Sequence, residues 1–209
     1  MGGRGVFILG LLMVCANCLF SQTHFDPGNM QLGFNYGMGT QNAFPFNSKN
    51  YTYDIRFYKG ILNLGLDETV KWSFEANFEL GYYKVKYHSE SHANMKTVNR
   101  NLVDQQPVTD KQLNEYVLNV GLLSRYKFSD HFGIYALGSL GPMVSSCATD
   151  RQAHGFAFSD IFALGLRYPH SQWAFDLRFG VRHVSNAGFS RPNKGHNSTH
   201  LEAGFLVRL

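Results

Sequence analysis

Charged residues make up only 16% of this 209-residue chain, and two of its three cysteines, Cys15 and Cys18, lie within the first twenty residues. If that segment is removed on export, Cys147 is left alone. A lone thiol cannot form an intrachain disulfide, so the exported fold must be held by something else. Beyond the N-terminus no stretch approaches the roughly twenty apolar residues that a membrane helix requires, so membrane residence would have to be as a closed strand barrel. The formal charge of +4 is too small an excess for a nucleic-acid-binding protein and is compatible with an anionic surface partner. Metal-ligand spacing is also lacking. His196 and His200 stand four apart, which suits a metal only on a helix, and Gly195 followed by a strand pattern argues against one. They read as solvated loop histidines, and no cofactor or metal is expected.

What the chain does have is 18 Phe, 11 Tyr and 21 Gly, a composition of strands and turns that favours an all-β protein. Arg4 followed by the apolar run Val6 to Val14 and the small or polar residues after Ala16 reads as a secretory signal peptide over residues 1–21. Acylation at Cys15 or Cys18 would need a small residue before the cysteine, and Val14 and Asn17 are poor there. Loss of Arg4 with this segment lowers the formal charge from +4 to +3. Residues 22–209 then form one domain.

That domain divides into eight alternating segments: Met30 to Met38, Tyr51 to Lys59, Trp72 to Tyr87, Glu115 to Phe128, Phe132 to Ser145, Phe156 to Tyr168, Trp173 to Asn186 and Ser198 to Leu209. Eight is the smallest standard count for a membrane barrel. The connections Gly39 to Asn50, His88 to Asn114, Ser146 to Gly155 and Ala187 to Asn197 are long or polar, whereas Ser129-Asp130-His131 and Pro169 to Gln172 are tight. Gly60 to Lys71 is too long for a turn and is expected to extend the neighbouring strands. With a periplasmic N-terminus, strand counting puts the long loops outside, as in an eight-stranded antiparallel transmembrane β-barrel of a Gram-negative outer membrane.

Residue parity separates the two faces. In the seventh segment Trp173, Phe175, Leu177, Phe179 and Val181 share one face, and Ala174, Asp176, Arg178, Gly180 and Arg182 share the other. A soluble lipocalin-like barrel would have to bury the first set and expose the arginines; a membrane barrel turns the apolar set to lipid and the polar set to a narrow lumen. The same division holds for Trp72, Phe74, Ala76, Phe78 and Leu80 against Ser73, Glu75, Asn77 and Glu79, and for Leu201, Ala203, Phe205, Val207 and Leu209 against Glu202, Gly204 and Arg208. Trp72, Tyr168 and Trp173 fall at the periplasmic interface. The fifth segment alternates poorly and its faces are not assigned.

Continued along the seventh strand, this parity puts His183 and Ser185 on the lipid side near the outer edge, two residues apart on one face. Polar groups there are costly without a role. The surrounding residues, His183-Val184-Ser185-Asn186-Ala187-Gly188 and then Pro192-Asn193-Lys194-Gly195-His196-Asn197, resemble the motif of the lipid A deacylase family represented by PagL. Members of that family are eight-stranded outer-membrane barrels that hydrolyse the ester-linked acyl chain at the 3-position of lipid A. The motif covers about fifteen residues, and the eight-strand organisation extends the resemblance more loosely over the mature chain.

The resemblance implies Ser185 as nucleophile, His183 as general base and Asn193 as oxyanion donor, assisted by backbone N–H groups of the Asn186 to Gly188 turn. Asn186, of opposite parity, fixes the turn or borders the oxyanion site; Gly188 and Gly195 are conformational. The chain departs from the pattern at Asn197, where the type enzyme holds Glu. An amide oxygen can hold the imidazole tautomer but supplies no charge to an imidazolium. Glu202, the nearby carboxylate, has lumen parity. The implied substrate is lipid A or lipopolysaccharide among outer-membrane lipids. Lys84, Lys86, Lys96, Arg100 and Arg191 lie on the outer side, to meet its phosphates or merely to solvate loops. A homodimer is left open. The alternative is a non-catalytic structural or adhesive barrel; a solute channel is disfavoured because side chains fill an eight-strand interior.

Overall fold

The computed structural model describes residues 30–46, 51–89 and 109–209. The expected signal peptide at residues 1–21, and Lys96 and Arg100, lie outside them. Eight antiparallel strands form a closed barrel: β1 (Met30–Thr40), β2 (Tyr51–Glu68), β3 (Trp72–Ser89), β4 (Thr109–Ser129), β5 (Phe132–Ser145), β6 (Gly155–His170), β7 (Trp173–Ser185) and β8 (His196–Arg208). Each strand pairs with the next, and β8 pairs back onto β1 from Gln31↔Arg208 to Thr40↔Thr199. The connection expected to extend its neighbours does so: β2 runs on to Glu68, and Thr69 closes the turn by accepting the Trp72 N–H at 2.9 Å.

The register fixes the strand tilt. The outward row that starts at Ile134 on β5 passes through Leu166, Leu177, Ala203, Tyr36, Tyr58, Tyr82 and Tyr116 and returns to β5 at Val144, ten residues further on. A displacement of that size around eight strands tilts them by about 40° from the barrel axis. A row followed from β6 through β7 to β8 therefore climbs towards the outer end, where the four longer connections lie.

Alternation then sorts the side chains. Phe175, Leu177, Phe179, Leu164, Leu201 and Phe205 are exposed on the outer wall, the reverse of a soluble barrel, while the inward row is buried and charged. Paired rings, Trp72 with Tyr126 and Trp173 with Phe205, mark the inner membrane interface. Within the lumen Lys59 bridges Glu79 (3.0 Å) and Glu202 (2.9 Å), Arg178 meets Glu79, Asp176 and Glu202, and Arg167 joins Asp176 to Glu75, which also binds Arg125 (2.8 Å). Arg182 pairs with Glu115 at 2.7 Å. Five cations thus face five carboxylates, so the plug is neutral and fills the space that a solute channel would need.

The lumen is not polar throughout, as the parity of β7 alone suggested. At the outer end Tyr53, Ile55, Phe57, Tyr83, Val85 and Tyr87 point inwards and pack with Met143 and Val184. On the same stretches Asp54, Arg56, Lys84 and Lys86 point outwards and are exposed. Apolar inside and charged outside is the pattern of a wall standing in water, so β2 and β3 project beyond the lipid there. The histidines expected in a solvated loop are buried by this outer plug: His196 stacks on Tyr53 with centroids 3.9 Å apart, and His200 bonds Ser198 at 2.8 Å. They begin β8 on its inward parity and are not loop residues. The unassigned β5 is apolar on both faces because Tyr135 and Leu137 enter an inner cluster with Leu123, Ile161 and Ala163, while Ile134 and Leu140 face lipid.

Replacing Arg178 by Met should destabilise the barrel by about 3–5 kcal/mol, because Glu79, Asp176 and Glu202 lose a shared buried partner. The urea midpoint of the variant folded into lipid vesicles checks this; an unchanged midpoint would mean that the carboxylates do not depend on it.

Candidate active site

β7 delivers His183 and Ser185 to the outer wall with the parity that turns Phe179 to lipid. His183 is exposed, Ser185 is half-buried, and Val184 between them is sealed into the lumen. β8 brings Asn197 directly opposite His183 in register, and His183 Nδ1 lies 2.7 Å from Asn197 Oδ1. An amide oxygen accepts only, so Nδ1 carries the hydrogen and Nε2 is left as the basic nitrogen.

The segment between β7 and β8 turns on Asn186, which is wholly buried. Its Nδ2 donates to Ser190 O and Oγ, both at 2.9 Å, and its Oδ1 accepts the Gly188 N–H at 3.1 Å. Ala187 and Gly188 both have positive φ, 53° and 85°, and Phe189 N–H donates to Asn186 O at 3.0 Å, which is a type I′ turn. Asn186 therefore braces the turn. The loop ends at Gly195, with φ of 60°, where a Cβ would stand 2.6 Å from Val184 O; only glycine fits.

Asn193 folds back over the serine. Its Oδ1 accepts the Asn186 N–H at 3.0 Å and the Ser185 hydroxyl at 3.3 Å, and Ala187 N–H donates to Ser185 Oγ at 3.2 Å. Asn193 thus meets the serine with its carbonyl and not its amide hydrogens, because the fixed Asn186 N–H demands an acceptor. His183, Ser185, Asn186, Gly188, Asn193 and Asn197 are all gathered here, but the resting Ser185 hydroxyl is directed to Asn193 instead of His183. Glu202 lies in the lumen, bonded to Lys59, and takes no part.

Two further neighbours of the site are not evident from the motif. Arg151, in the β5–β6 connection, clamps the loop: its carbonyl accepts Lys194 N–H (2.7 Å) and Gly195 N–H (3.2 Å), its Nε donates to Gly195 O (2.9 Å), and Ala153 N–H donates to Pro192 O (2.9 Å). Its guanidinium covers the Tyr51 ring at 3.9 Å. Loop-to-loop contacts of this kind leave no periodic signal in sequence. Asp160 on β6 pairs with His183 in register and is exposed on the outer wall. Its signal was present: it interrupts the outward alternation of Phe156, Phe158, Phe162 and Leu164.

Both flanks of the site are aromatic. Phe158 lies directly across from Ser185, and Phe189 stands beside Phe156 and Phe158 at about 6 Å. On the other side Thr199 Oγ1 donates to Phe44 O at 3.0 Å and draws the Phe44-Pro45 segment onto the wall. Above, an open hollow is lined by Gly188, Ser190, Arg191, Pro192, Asn193 and Lys194.

A sequence profile described as lipid A 3-O-deacylase (PagL) matches residues 61–205, most of the described barrel and the whole of this site. The chain belongs to the PagL family. Among solved structures it is similar to the outer-membrane enzyme PagL, at 14% identity with a TM-score of 0.51, covering 85% of this chain and 99% of that one. It is also similar to Neisserial surface protein A, at 12% identity and a TM-score of 0.50, covering 86% and 97%. No curated protein matches the chain. Likenesses at these identities show the fold, and with the family they make this chain a Gram-negative outer-membrane β-barrel. None of the comparisons supports a homodimer.

Removing the Arg151 side chain should loosen the Asn193 loop without touching the barrel. Arg151→Ala is expected to lower turnover by about tenfold or more while the urea midpoint stays within error; full activity would show that the loop holds its shape without the clamp.

Proposed function

We propose that this PagL-family barrel is a serine esterase that removes the ester-linked 3-hydroxyacyl chain at the 3-position of lipid A. The observation that carries the reading is the lipid-facing trio of Ser185, His183 and Asn197, with the His183 Nδ1 to Asn197 Oδ1 contact of 2.7 Å leaving Nε2 free to act. An enzyme of a soluble ester would hold such a pair in a cavity. A membrane-facing pair suits a substrate that stays in the outer leaflet.

The reaction starts with rotation of the Ser185 hydroxyl from Asn193 Oδ1 towards Nε2, a change between staggered wells. Oγ attacks the ester carbonyl carbon while its proton passes to Nε2. The oxyanion forms within a bond length of the reacting centre, where Ala187 N–H already lies 3.2 Å from Oγ and Asn193 can offer its Nδ2 hydrogens. Collapse breaks the carbon–oxygen bond to the sugar, and the imidazolium returns its proton to that leaving hydroxyl. Water, deprotonated by Nε2, then attacks the acyl-serine; the hydroxy fatty acid departs and Ser185 regains its proton. The acyl chain lies along the wall over Val181 and Phe179, between the Phe44 flank and the Phe156 and Phe158 flank. The loop cations Arg191 and Lys194 face the headgroup side.

Lipid A from a Gram-negative host expressing the wild type should lose the mass of one hydroxyacyl chain, and lipid A from a host expressing Ser185→Ala should not. Intact lipid A from the wild type, or equal loss with the alanine variant, refutes the serine-esterase reading. His183→Ala should be equally inactive.

Asn197→Glu should keep or raise the rate, since a carboxylate holds the same tautomer and adds charge. Loss of activity in a folded Asn197→Glu barrel would show that the amide is required as it stands.

A further inference from the structure

The wall formed by β1 to β4 carries a positive patch without counterions of its own. Tyr36, Tyr58, Tyr82 and Tyr116 make one outward row across these strands, with ring centroids 5.2 Å apart for Tyr36 and Tyr58 and 5.3 Å apart for Tyr82 and Tyr116. An aromatic row of this kind marks the approach to a membrane interface. Two residues further out, Arg56 on β2 and Lys84 on β3 stand directly opposite one another in register, and two further still stand Asp54 and Lys86. All four are exposed. Among the described residues the three cations form no ion pair, not even with Asp54. His88 and Asp110, next outwards, meet one another at 2.6 Å.

The strand tilt sets the height of this patch. A step of one strand along a row rises by about 3 Å, and one residue along a strand by about 2.6 Å. Arg56 lies three strands beyond β7 and two residues above the row through Leu177, and His183 lies six residues above that row on β7 itself. The two are therefore level to within about 2 Å, and Lys84 stands about 3 Å above Arg56. The patch faces the same headgroup layer as His183, but about 19 Å away around the wall, beyond the Phe44 segment.

Like charges directly opposite one another on paired strands hold their Cβ atoms about 5 Å apart and repel. An anion seated between Arg56 and Lys84 converts that repulsion into charge-assisted hydrogen bonds. Asn114, opposite Lys84 on β4, accepts the Tyr82 hydroxyl at Oδ1 (3.1 Å) and keeps its Nδ2 hydrogens for the same guest. A guanidinium fork, two ammonium groups and an amide suit a phosphate monoester, and below the tyrosine row the exposed Leu80 and Leu118 offer an apolar bed for acyl chains. We propose that this patch docks a second phosphorylated glycolipid of the outer leaflet, held by its phosphate between Arg56 and Lys84, separate from the molecule at Ser185 and not hydrolysed. It anchors the wall away from the candidate active site in the same leaflet. The docking stands whichever residue is the nucleophile.

The test counts lipid A molecules carried by the full-length barrel, by native mass spectrometry after folding in phosphatidylcholine vesicles that contain lipid A, in a Ser185→Ala background so that none is consumed. With the patch intact, barrels should carry one lipid A beyond that at the site. Arg56→Gln combined with Lys84→Gln should reduce the population carrying this second molecule by about tenfold or more, and Lys84→Arg should retain it. Lipid A stripped of its phosphates should fail in the same way. Excess phosphatidylglycerol or millimolar inorganic phosphate should leave the second molecule in place. Replacing like charges on an exposed wall does not threaten folding, and heat-modifiable gel mobility verifies it. With Ser185 present, the Arg56→Gln, Lys84→Gln barrel should keep kcat and KM within about twofold. An unchanged second molecule in that variant, equal binding of dephosphorylated lipid A, or displacement by phosphatidylglycerol or inorganic phosphate overturns the proposal. A raised KM would instead make the patch part of the substrate site and overturns the claim of a second one.

Discussion

Inside hydrocarbon no water is available to a backbone N–H or C=O, and each unpaired group would cost several kcal/mol. The closure of β8 onto β1 answers that constraint by leaving no strand edge, and the rest of the molecule follows from it. Once the sheet is closed, strict alternation gives every strand an inner and an outer row. The inner row has no room for lipid or bulk water, so its charges neutralise one another. The outer row meets whatever surrounds the barrel, and a polar residue there stands out.

The site exploits this arrangement instead of a pocket. A sheet normally offers a catalytic pair only the solvent or the core, but a membrane barrel offers a third surrounding, the acyl region itself. His183 and Ser185 reach it because β7 keeps its parity from Trp173 to its end. The β7–β8 loop then bends over the serine through the positive-φ turn at Ala187 and Gly188 and the close approach at Gly195. Rigidity comes from behind and above. Val184 is fixed in the aromatic outer plug, and Arg151 ties the loop to the neighbouring connection. That plug also keeps the outer half of the barrel shaped where β2 and β3 leave the lipid.

Much of this was legible in the sequence, for physical reasons that also explain the gaps. The period of two in Trp173 to Arg182 revealed the membrane barrel because both rows were chemically pure. It failed on β5, where Leu137 and Leu140 are alike although one faces the lumen and the other lipid. The inward aromatics of the outer plug were not anticipated, because the polar lumen was read from β7 only as far as Arg182, within its charged part, and Val184 beyond it already belongs to the plug. His196 and His200 looked like loop residues since Gly195 and the polar stretch before them resemble solvent-facing chain; only the register shows that β8 has already begun. At the site, the local motif placed His183, Ser185, Asn193 and Asn197 together. It could not show which end of the Asn193 amide meets the serine, a choice made by the Asn186 N–H. Arg151 and Asp160 are brought in by loop contact and strand pairing, which short motifs do not encode.

The central claim is that the nucleophile of this family member is Ser185 and that it is reached from the lipid. Intact-protein and peptide mass spectrometry after treating the vesicle-embedded barrel with a long-chain alkyl phosphonofluoridate tests both parts at once. The account predicts one adduct, on Ser185, formed much faster with a long-chain than with a short water-soluble reagent and absent from His183→Ala. No adduct, an adduct on another serine, or equal labelling by the water-soluble reagent would contradict it.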